Sequence, residues 1–255
     1  MNNGWKPKLA IFGIVFLAST LPLSLSLAAE EKCPVEFKLL LSPPAIQNVI
    51  ASLGFGKPTA SRVYFFDTKA LDLLKQGAIV RVRQGTKNGN DLTVKVRLPE
   101  DDKEDHDNYR ASHLQERFPC EIDRTGAGVD SSFSVGRPYT AEKIPRMGSD
   151  ISSALNPEQE KLLKDARISI DWAQVTRIAD IKLTKWESTS QLSGKLTLEL
   201  WEWPSGSILE LSAKAGSEAG AQKYDELVRL VSTKGLPLND RQGTKTNIAL
   251  EAIAH

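Results

Sequence analysis

The sequence predicts an α+β domain built on a large antiparallel sheet or barrel. Segments of alternating apolar and polar residues, which are typical of strands, outnumber helical segments by about two to one. The helical segments fall at the edges of the strand series, and no linker or internal repeat divides the 255 residues. With 25% charged and 40% hydrophobic residues, the composition is that of an ordinary globular domain.

The overall charge and the scarce metal-binding residues exclude several classes of function. The chain has 33 Lys and Arg against 32 Asp and Glu, so no global basic field exists to hold nucleic acid. Its 3 His and 2 Cys cannot build a zinc cluster or a disulfide-dense scaffold. We therefore expect no nucleic-acid partner, and any anion site must be local.

The first residues have the layout of a secretory signal peptide. Two lysines precede an uncharged run at 9–29 that ends in small residues. We assign 1–29 to a signal peptide and 30–255 to a single domain. An uncleaved anchor is the alternative, because the run is long enough to span a bilayer, but Pro22 and the small-residue end favour cleavage. Both interpretations place the domain outside the cytoplasm, periplasmic or secreted, with no membrane insertion once the signal is cleaved.

The two cysteines are interpreted in the light of that compartment. Cys33 and Cys120 form an even pair in an oxidising environment. A disulfide between them is therefore favoured over two buried free thiols.

The first elements are predicted from caps and turns. A strand at 34–41 leads to a helix at 45–54, which Ser42 and two prolines open and Gly54 ends. An extended segment at 61–67 leads to a short helix that ends at Gly77. Two strands, at 78–84 and 91–98, then flank a turn-rich TKNGN segment and predict a hairpin.

The later elements follow the same rules. Further strands are expected at 116–123, 166–172, 174–186, 195–202 and 207–214, and helices at 157–166 and 221–233. The acidic stretch at 99–115 lacks the glycine turn and regular spacing of a metal-binding loop, so we expect a solvated loop. The Gly- and Ser-rich stretch at 125–150 predicts a long surface loop.

The most informative feature is a row of charges on one face of several strands. Residues two apart on a strand share a face, so Arg81 and Arg83 form one row, and Lys95 and Arg97 another on the hairpin partner. An antiparallel sheet with one solvated face would explain such rows. Four like charges on neighbouring strands are nevertheless unfavourable unless something anionic lies among them. If the sheet closes with this face inward, the result is a basic tunnel suited to a di- or triphosphate.

Several segments together resemble the CYTH, or triphosphate tunnel, superfamily. They are PVEFK at 34–38, FFDTKALDLLKQGAIVRVR at 65–83, LTVKVR at 92–97, FPCEID at 118–123 and TKT at 244–246. The resemblance implies a closed or nearly closed eight-stranded antiparallel tunnel with flanking helices. It also implies metal-dependent chemistry on a triphosphate, with a phosphate-rich small anion as the partner.

The resemblance also implies roles for individual residues. The phosphate-binding set would be Lys38, Arg81, Arg83, Lys95, Arg97, Arg177, Lys182 and Lys245. The ligands to Mg²⁺ or Mn²⁺ would be Glu36, Glu199 and Glu210, with Glu121 a further acid. Two family carboxylates are missing, because Pro34 and Ser212 stand in their places. Losing them should weaken or abolish hydrolysis while sparing anion binding.

Three hypotheses for the function remain open from the sequence. The first is a metal-dependent phosphoanhydride hydrolase (a triphosphatase), the second a non-catalytic phosphate binder on the same scaffold, and the third an extracytoplasmic protein without a phosphate ligand. Glu36, Glu199 and Glu210 decide between the first two: convergence with room for a cation favours the enzyme, and pairing with tunnel Arg and Lys favours the binder. Cyclase activity is disfavoured, because no base-recognition element is visible.

Overall fold

The computed structural model describes Met1 and residues 33–99, 105–140, 151–189, 195–216 and 220–254. The predicted signal peptide at 1–29 lies outside these ranges except for Met1, and it stays a prediction. In the described ranges, no helix combines the length and the apolar composition that a membrane-spanning segment requires.

Nine strands in the described ranges form one closed barrel. They are β1 (Val35–Leu41), β2 (Thr59–Asp67), β3 (Ala78–Thr86), β4 (Gly89–Pro99), β5 (Cys120–Thr125), β6 (Gly128–Pro138), β7 (Thr176–Thr189), β8 (Lys195–Trp203) and β9 (Gly206–Ala215). Their order around the barrel is β1-β5-β6-β4-β3-β2-β7-β8-β9, and β9 pairs back onto β1. All neighbours are antiparallel except β1 and β5, which are parallel.

The predicted barrel is therefore confirmed, but its description as eight antiparallel strands needs correction. The ninth strand, β6, lies in the stretch that we expected to be a surface loop. It pairs with both β4 and β5. Strand preference depends strongly on cross-strand packing, so pairing on two sides outweighs the weak propensity of its Gly and Ser residues.

Six α-helices accompany the barrel in the described ranges. They are α1 (Ile46–Leu53), α2 (Asp72–Lys75), α3 (Asp105–Gln115), α4 (Pro157–Asp165), α5 (Gly220–Thr233) and α6 (Lys245–Ala254). Helix α3 replaces part of the expected acidic loop, and α6 was not predicted. The strand expected at 166–172 is absent: Arg167 has a positive φ of 54° where α4 ends, and a short 3-10 helix follows at Trp172–Gln174.

The β3–β4 hairpin forms as predicted, and Gly77 fixes how it begins. The Gly77 carbonyl accepts a hydrogen bond from the Arg97 backbone N–H at 2.9 Å. Gly77 has a φ of 76°, and a Cβ atom there would lie 2.4 Å from the Arg97 carbonyl oxygen. Only glycine accommodates both constraints, so this residue sets the backbone position of Arg97.

The apolar core has three parts. Two lie outside the barrel, one beneath α3 and α4 and the other beneath α1 and α5. The third lies inside, where Phe65 and Trp201 of the strands pack with Ala249 and Leu250 of α6. Helix α6 therefore fills one end of the barrel interior and leaves the other end to the charged rows.

The predicted disulfide is confirmed. Cys33 and Cys120 are bonded, with 5.2 Å between their Cα atoms and a sequence separation of 87. The bond joins the chain just before β1 to the first residue of β5, so it fastens the parallel pair of strands.

Candidate functional site

The unfilled end of the barrel holds a cavity of about 390 Å³ lined mainly by charged side chains. Six of the eight predicted phosphate-binding residues line it. They are Lys38, Arg81, Arg83, Lys95, Arg97 and Lys245. The charged rows thus face inward, as the tunnel interpretation required.

Arg177 and Lys182 lie elsewhere, and we leave them out of the site. Lys182 alternates with the inward-facing Ile181, so it points outward, where it forms an exposed ion pair with Glu202 at 3.2 Å. Arg177 lies beyond an irregularity in the β2–β7 register, and its guanidinium stands 5.5 Å from the centre of the Tyr64 ring. A bulge reverses the facing of the residues beyond it, which parity counted from the sequence cannot anticipate.

Asp123 on β5 is the centre of one charged cluster. Its side chain is fully buried, and its carboxylate lies 2.5 Å from Lys38 Nζ, 2.8 Å from Lys95 Nζ and 3.4 Å from Arg97 Nε. Burial alone would raise its pKa, but the three cations outweigh burial and hold the pKa well below its usual range. Asp123 was not among the site residues predicted from the sequence, although it lies two residues from Glu121 and so shares its face.

Lys38 and Lys95 share this carboxylate but titrate differently. Burial opposes the charged form of both. For Lys38, Glu36 at 3.0 Å and Asp123 outweigh burial and raise its pKa above the ordinary value. For Lys95, burial together with the charge of Arg97 outweighs the attraction of Asp123 and lowers the pKa to about 8.

Lys245 is the centre of a second cluster. Glu199 on β8 and Glu210 on β9 are register partners, and Lys245 Nζ, from the first turn of α6, lies 2.5 Å from each carboxylate. Burial would raise the pKa of Glu199, but Lys245 outweighs it and lowers that pKa to about 2. For Glu210 burial prevails, and its pKa is raised.

The two arginines of β3 differ in their partners. Arg83 Nε lies 3.0 Å from Asp91. Arg81 forms no ion pair within the described part of the chain, and its Nε is buried without a hydrogen-bond partner. Burial, with Arg83 adding to it, lowers the pKa of Arg81 to about 10, so the group remains charged at neutral pH.

The acids do not form the metal site that the resemblance implied. Leu40, rather than Glu36, is the register partner of Glu210, and Glu199 and Glu210 already share the ammonium group of Lys245. A different group, formed by Glu36, Glu121 and Asp123, has ligand oxygens within 4.8 Å of one another. Carboxylates of this kind suit a hard divalent cation. In this structure the ammonium groups of Lys38 and Lys95 lie among these three carboxylates.

Comparison with known proteins supports the fold. No protein-family model matches the chain, and no curated protein matches it significantly. Among solved structures, one similar protein comes from Hippeastrum. It was proposed to be an adenylyl cyclase, and a dominant triphosphatase activity is described for it. It aligns with a TM-score of 0.60 and 17% identity, and the alignment covers 85% of this chain and 94% of that one. A protein from Bacillus halodurans, also proposed to be an adenylate cyclase, aligns with a TM-score of 0.56 and 18% identity, covering 85% and 96%.

These structural neighbours are CYTH-type proteins, as the sequence motifs indicated. At such low identity the likeness concerns the fold, and it covers nearly the whole length of both relatives. The chain therefore shares the barrel fold of these two proteins, as the resemblance noted in its sequence implied.

Proposed function

We propose that the protein binds a tripolyphosphate or polyphosphate chain in the charged half of the barrel. The observation that carries this proposal is the guanidinium of Arg81, which lies in the cavity without an acidic partner among the described residues. Arg81 is half-buried, and leaving its buried Nε without a hydrogen-bond partner is costly. A phosphate oxygen would supply both an opposite charge and the missing hydrogen bond.

The charge balance of the cavity supports the same ligand class. Among the described residues, eight Lys and Arg side chains line the cavity against four Glu. Asp91, Asp123 and Glu187 pair with lining cations from beyond the cavity wall, so seven acids face eight cations and a small excess of positive charge remains. A linear polyanion would relieve their mutual repulsion, and a volume of about 390 Å³ lies in the usual range for a small-molecule site.

We further propose that this binding takes place outside the cytoplasm, in the periplasm or after secretion. The disulfide is compatible with an oxidising compartment. The signal-like composition of 1–29 supports the same location. Nucleotides are scarce there, which favours an inorganic phosphate chain as the ligand. The triphosphatase activity described for the neighbour from Hippeastrum is consistent with a triphosphate-shaped ligand.

Metal-dependent hydrolysis is the second candidate function. The oxygen cluster of Glu36, Glu121 and Asp123 favours it, because it offers the donor atoms that Mg²⁺ or Mn²⁺ prefers. When bound there, such a cation would polarise phosphate oxygens. The lysine ammonium groups within the cluster argue for binding alone, since they already neutralise the carboxylates.

A melting series with ligand tests the binding proposal. We expect tripolyphosphate to raise the Tm of the protein, and to raise it less at high salt. Replacing Arg81 and Arg83 together by Ala should abolish the shift, whereas Lys182→Met, outside the cavity, should leave it unchanged. A parent protein that shows no shift at millimolar tripolyphosphate would remove the proposed function.

A phosphate-release screen separates the two candidates. The parent protein is incubated with tripolyphosphate, long-chain polyphosphate and nucleoside triphosphates, with and without Mg²⁺ or Mn²⁺. We expect binding without release. Release that depends on the metal and is lost in Glu36→Gln would establish the hydrolase instead.

A further inference from the structure

Lys245 is held unusually firmly for a lysine. Its ammonium group contacts both Glu199 and Glu210 and lies 4.9 Å from the centre of the Trp201 ring. The Trp201 indole N–H donates to Glu199 at 3.3 Å, so the ring and the carboxylate are themselves joined. The ammonium group therefore has three partners, two carboxylates and an aromatic ring.

The backbone of Lys245 is fixed as well. It begins α6, and Thr246, Ala249 and Leu250 of this helix are buried. A cation in the first turn of a helix is disfavoured by the helix dipole. The position of Lys245 is therefore explained by the two carboxylates and the aromatic ring, and not by any preference of the helix.

The Glu199–Glu210 pair needs a cation between its carboxylates. The two residues are directly opposite each other on neighbouring strands, an arrangement that is destabilising for like charges. Glu210 is buried and Glu199 is half-buried. Either a divalent cation or an ammonium group could neutralise them, and here the ammonium group of Lys245 lies within hydrogen-bond distance of both.

We propose that Lys245 takes the place of a divalent cation between Glu199 and Glu210, so that this side of the cavity receives a metal-free phosphate chain. The first part of this proposal, that Lys245 replaces a cation between the two glutamates, follows from the geometry alone. The second part, that the phosphate chain binds without a metal, rests on the proposed function. Lys245 is thus a specificity-determining residue, because it decides whether the ligand arrives with or without its cation.

Direct Mn²⁺ binding without any phosphate tests the first part. Electron paramagnetic resonance of free Mn²⁺ measures binding to the parent, to Lys245→Met and to the control Lys182→Met. We expect Lys245→Met to bind Mn²⁺ about tenfold more tightly than the parent, because two carboxylates are released as ligands. The control should match the parent, and adding Glu199→Gln to Lys245→Met should reverse the gain.

Two results would overturn this part. One is a folded Lys245→Met protein, judged by circular dichroism, that gains no Mn²⁺ affinity. The other result does not depend on that variant. If the parent protein binds Mn²⁺ and Glu199→Gln abolishes this binding, then Lys245 does not exclude the metal.

Calorimetry with tripolyphosphate tests the second part. We expect the parent to bind at least as tightly in EDTA as in Mg²⁺, whereas binding by Lys245→Met should become stronger when Mg²⁺ is added. A parent that requires Mg²⁺ would overturn the metal-free ligand. A parent that binds no tripolyphosphate but excludes Mn²⁺ as expected would refute the proposed function and the second part, while the role of Lys245 toward the glutamates would stand.

Discussion

The two halves of the barrel interior are built from the same strands but have opposite chemistry. On β1 the inward row runs from Glu36 and Lys38 to Leu40, and on β3 it runs from Ile79 to Arg81 and Arg83. The apolar half is closed by α6, while the charged half surrounds the cavity. One side-chain row therefore contributes to the apolar core at one end of the barrel and lines a charged cavity at the other.

The two halves also differ in what makes the burial of their side chains favourable. Burying apolar side chains stabilises the folded state, whereas buried charges need partners to offset their lost hydration. The charged half satisfies most of its groups with ion pairs and leaves Arg81 without one within the described ranges. Mutations should therefore have different signatures in the two halves.

The largest effect is expected from Asp123→Asn in the charged half. Three cations would lose a fully buried partner, and breaking a buried network of this kind costs about 3–5 kcal/mol of unfolding free energy. Denaturant unfolding measures the loss. Asp180→Asn, which breaks an exposed pair with Arg62, should cost about 1 kcal/mol or less. Equal losses in the two variants would contradict the central role of Asp123.

Leu250→Ala tests the apolar half. Leu250 is 3% exposed within the interior cluster, and a cavity there should cost about 2–5 kcal/mol. Leu250→Met, which conserves volume, should cost less than about 1.5 kcal/mol. We expect tripolyphosphate affinity, measured by calorimetry below the melting transition, to stay unchanged. A matching loss of affinity would show that the two halves are not independent.

Arg81→Met should have the opposite signature. The buried, unpartnered Nε disappears, so the ligand-free protein should be more stable by about 1–3 kcal/mol. Tripolyphosphate affinity should fall by about tenfold or more, since a charge-assisted contact is lost. Chemical denaturation and calorimetry measure the two effects. A variant less stable than the parent would mean that Arg81 has a stabilising role in the empty cavity.

The smallest loss of affinity is expected from the titration of Lys95. Burial first, and then Arg97, lowers its pKa to about 8, below the usual value near 10.4. The folded state therefore loses this proton before the unfolded state does, and Lys95 makes ligand-free stability rise between about pH 8 and 10.4.

Tripolyphosphate prefers the protonated lysine, so its affinity should fall about three- to tenfold between about pH 7 and 9. Calorimetry at several pH values measures this dependence. Lys95→Met should bind more weakly at pH 7 and lose most of the dependence. An unchanged pH profile in that variant would assign the proton to another group.

The residues of the candidate site were predictable only in part. Parity along a strand placed Lys38, Arg81 and Lys95 on one face, because side chains alternate regularly wherever a strand is unbroken. The resemblance, and not parity, proposed Arg177, which lies beyond a bulge. Parity gave no signal for β6, whose pairing depends on two neighbours distant in sequence.

The sequence by itself determined that strands dominate the domain and that several of them carry a charged face, and it favoured the pairing of Cys33 with Cys120, because these follow from local periodicity and from residue type. Closure of the sheet, which turns the charged rows inward, was decided by the tertiary structure. The tertiary structure alone decided which acid meets which cation. Asp123 reaches Lys38 through the parallel β1–β5 pair, and Lys245 reaches Glu199 from a helix that follows all the strands. Ion pairing falls off within a few ångströms, so it depends on register and barrel closure, which no local pattern encodes.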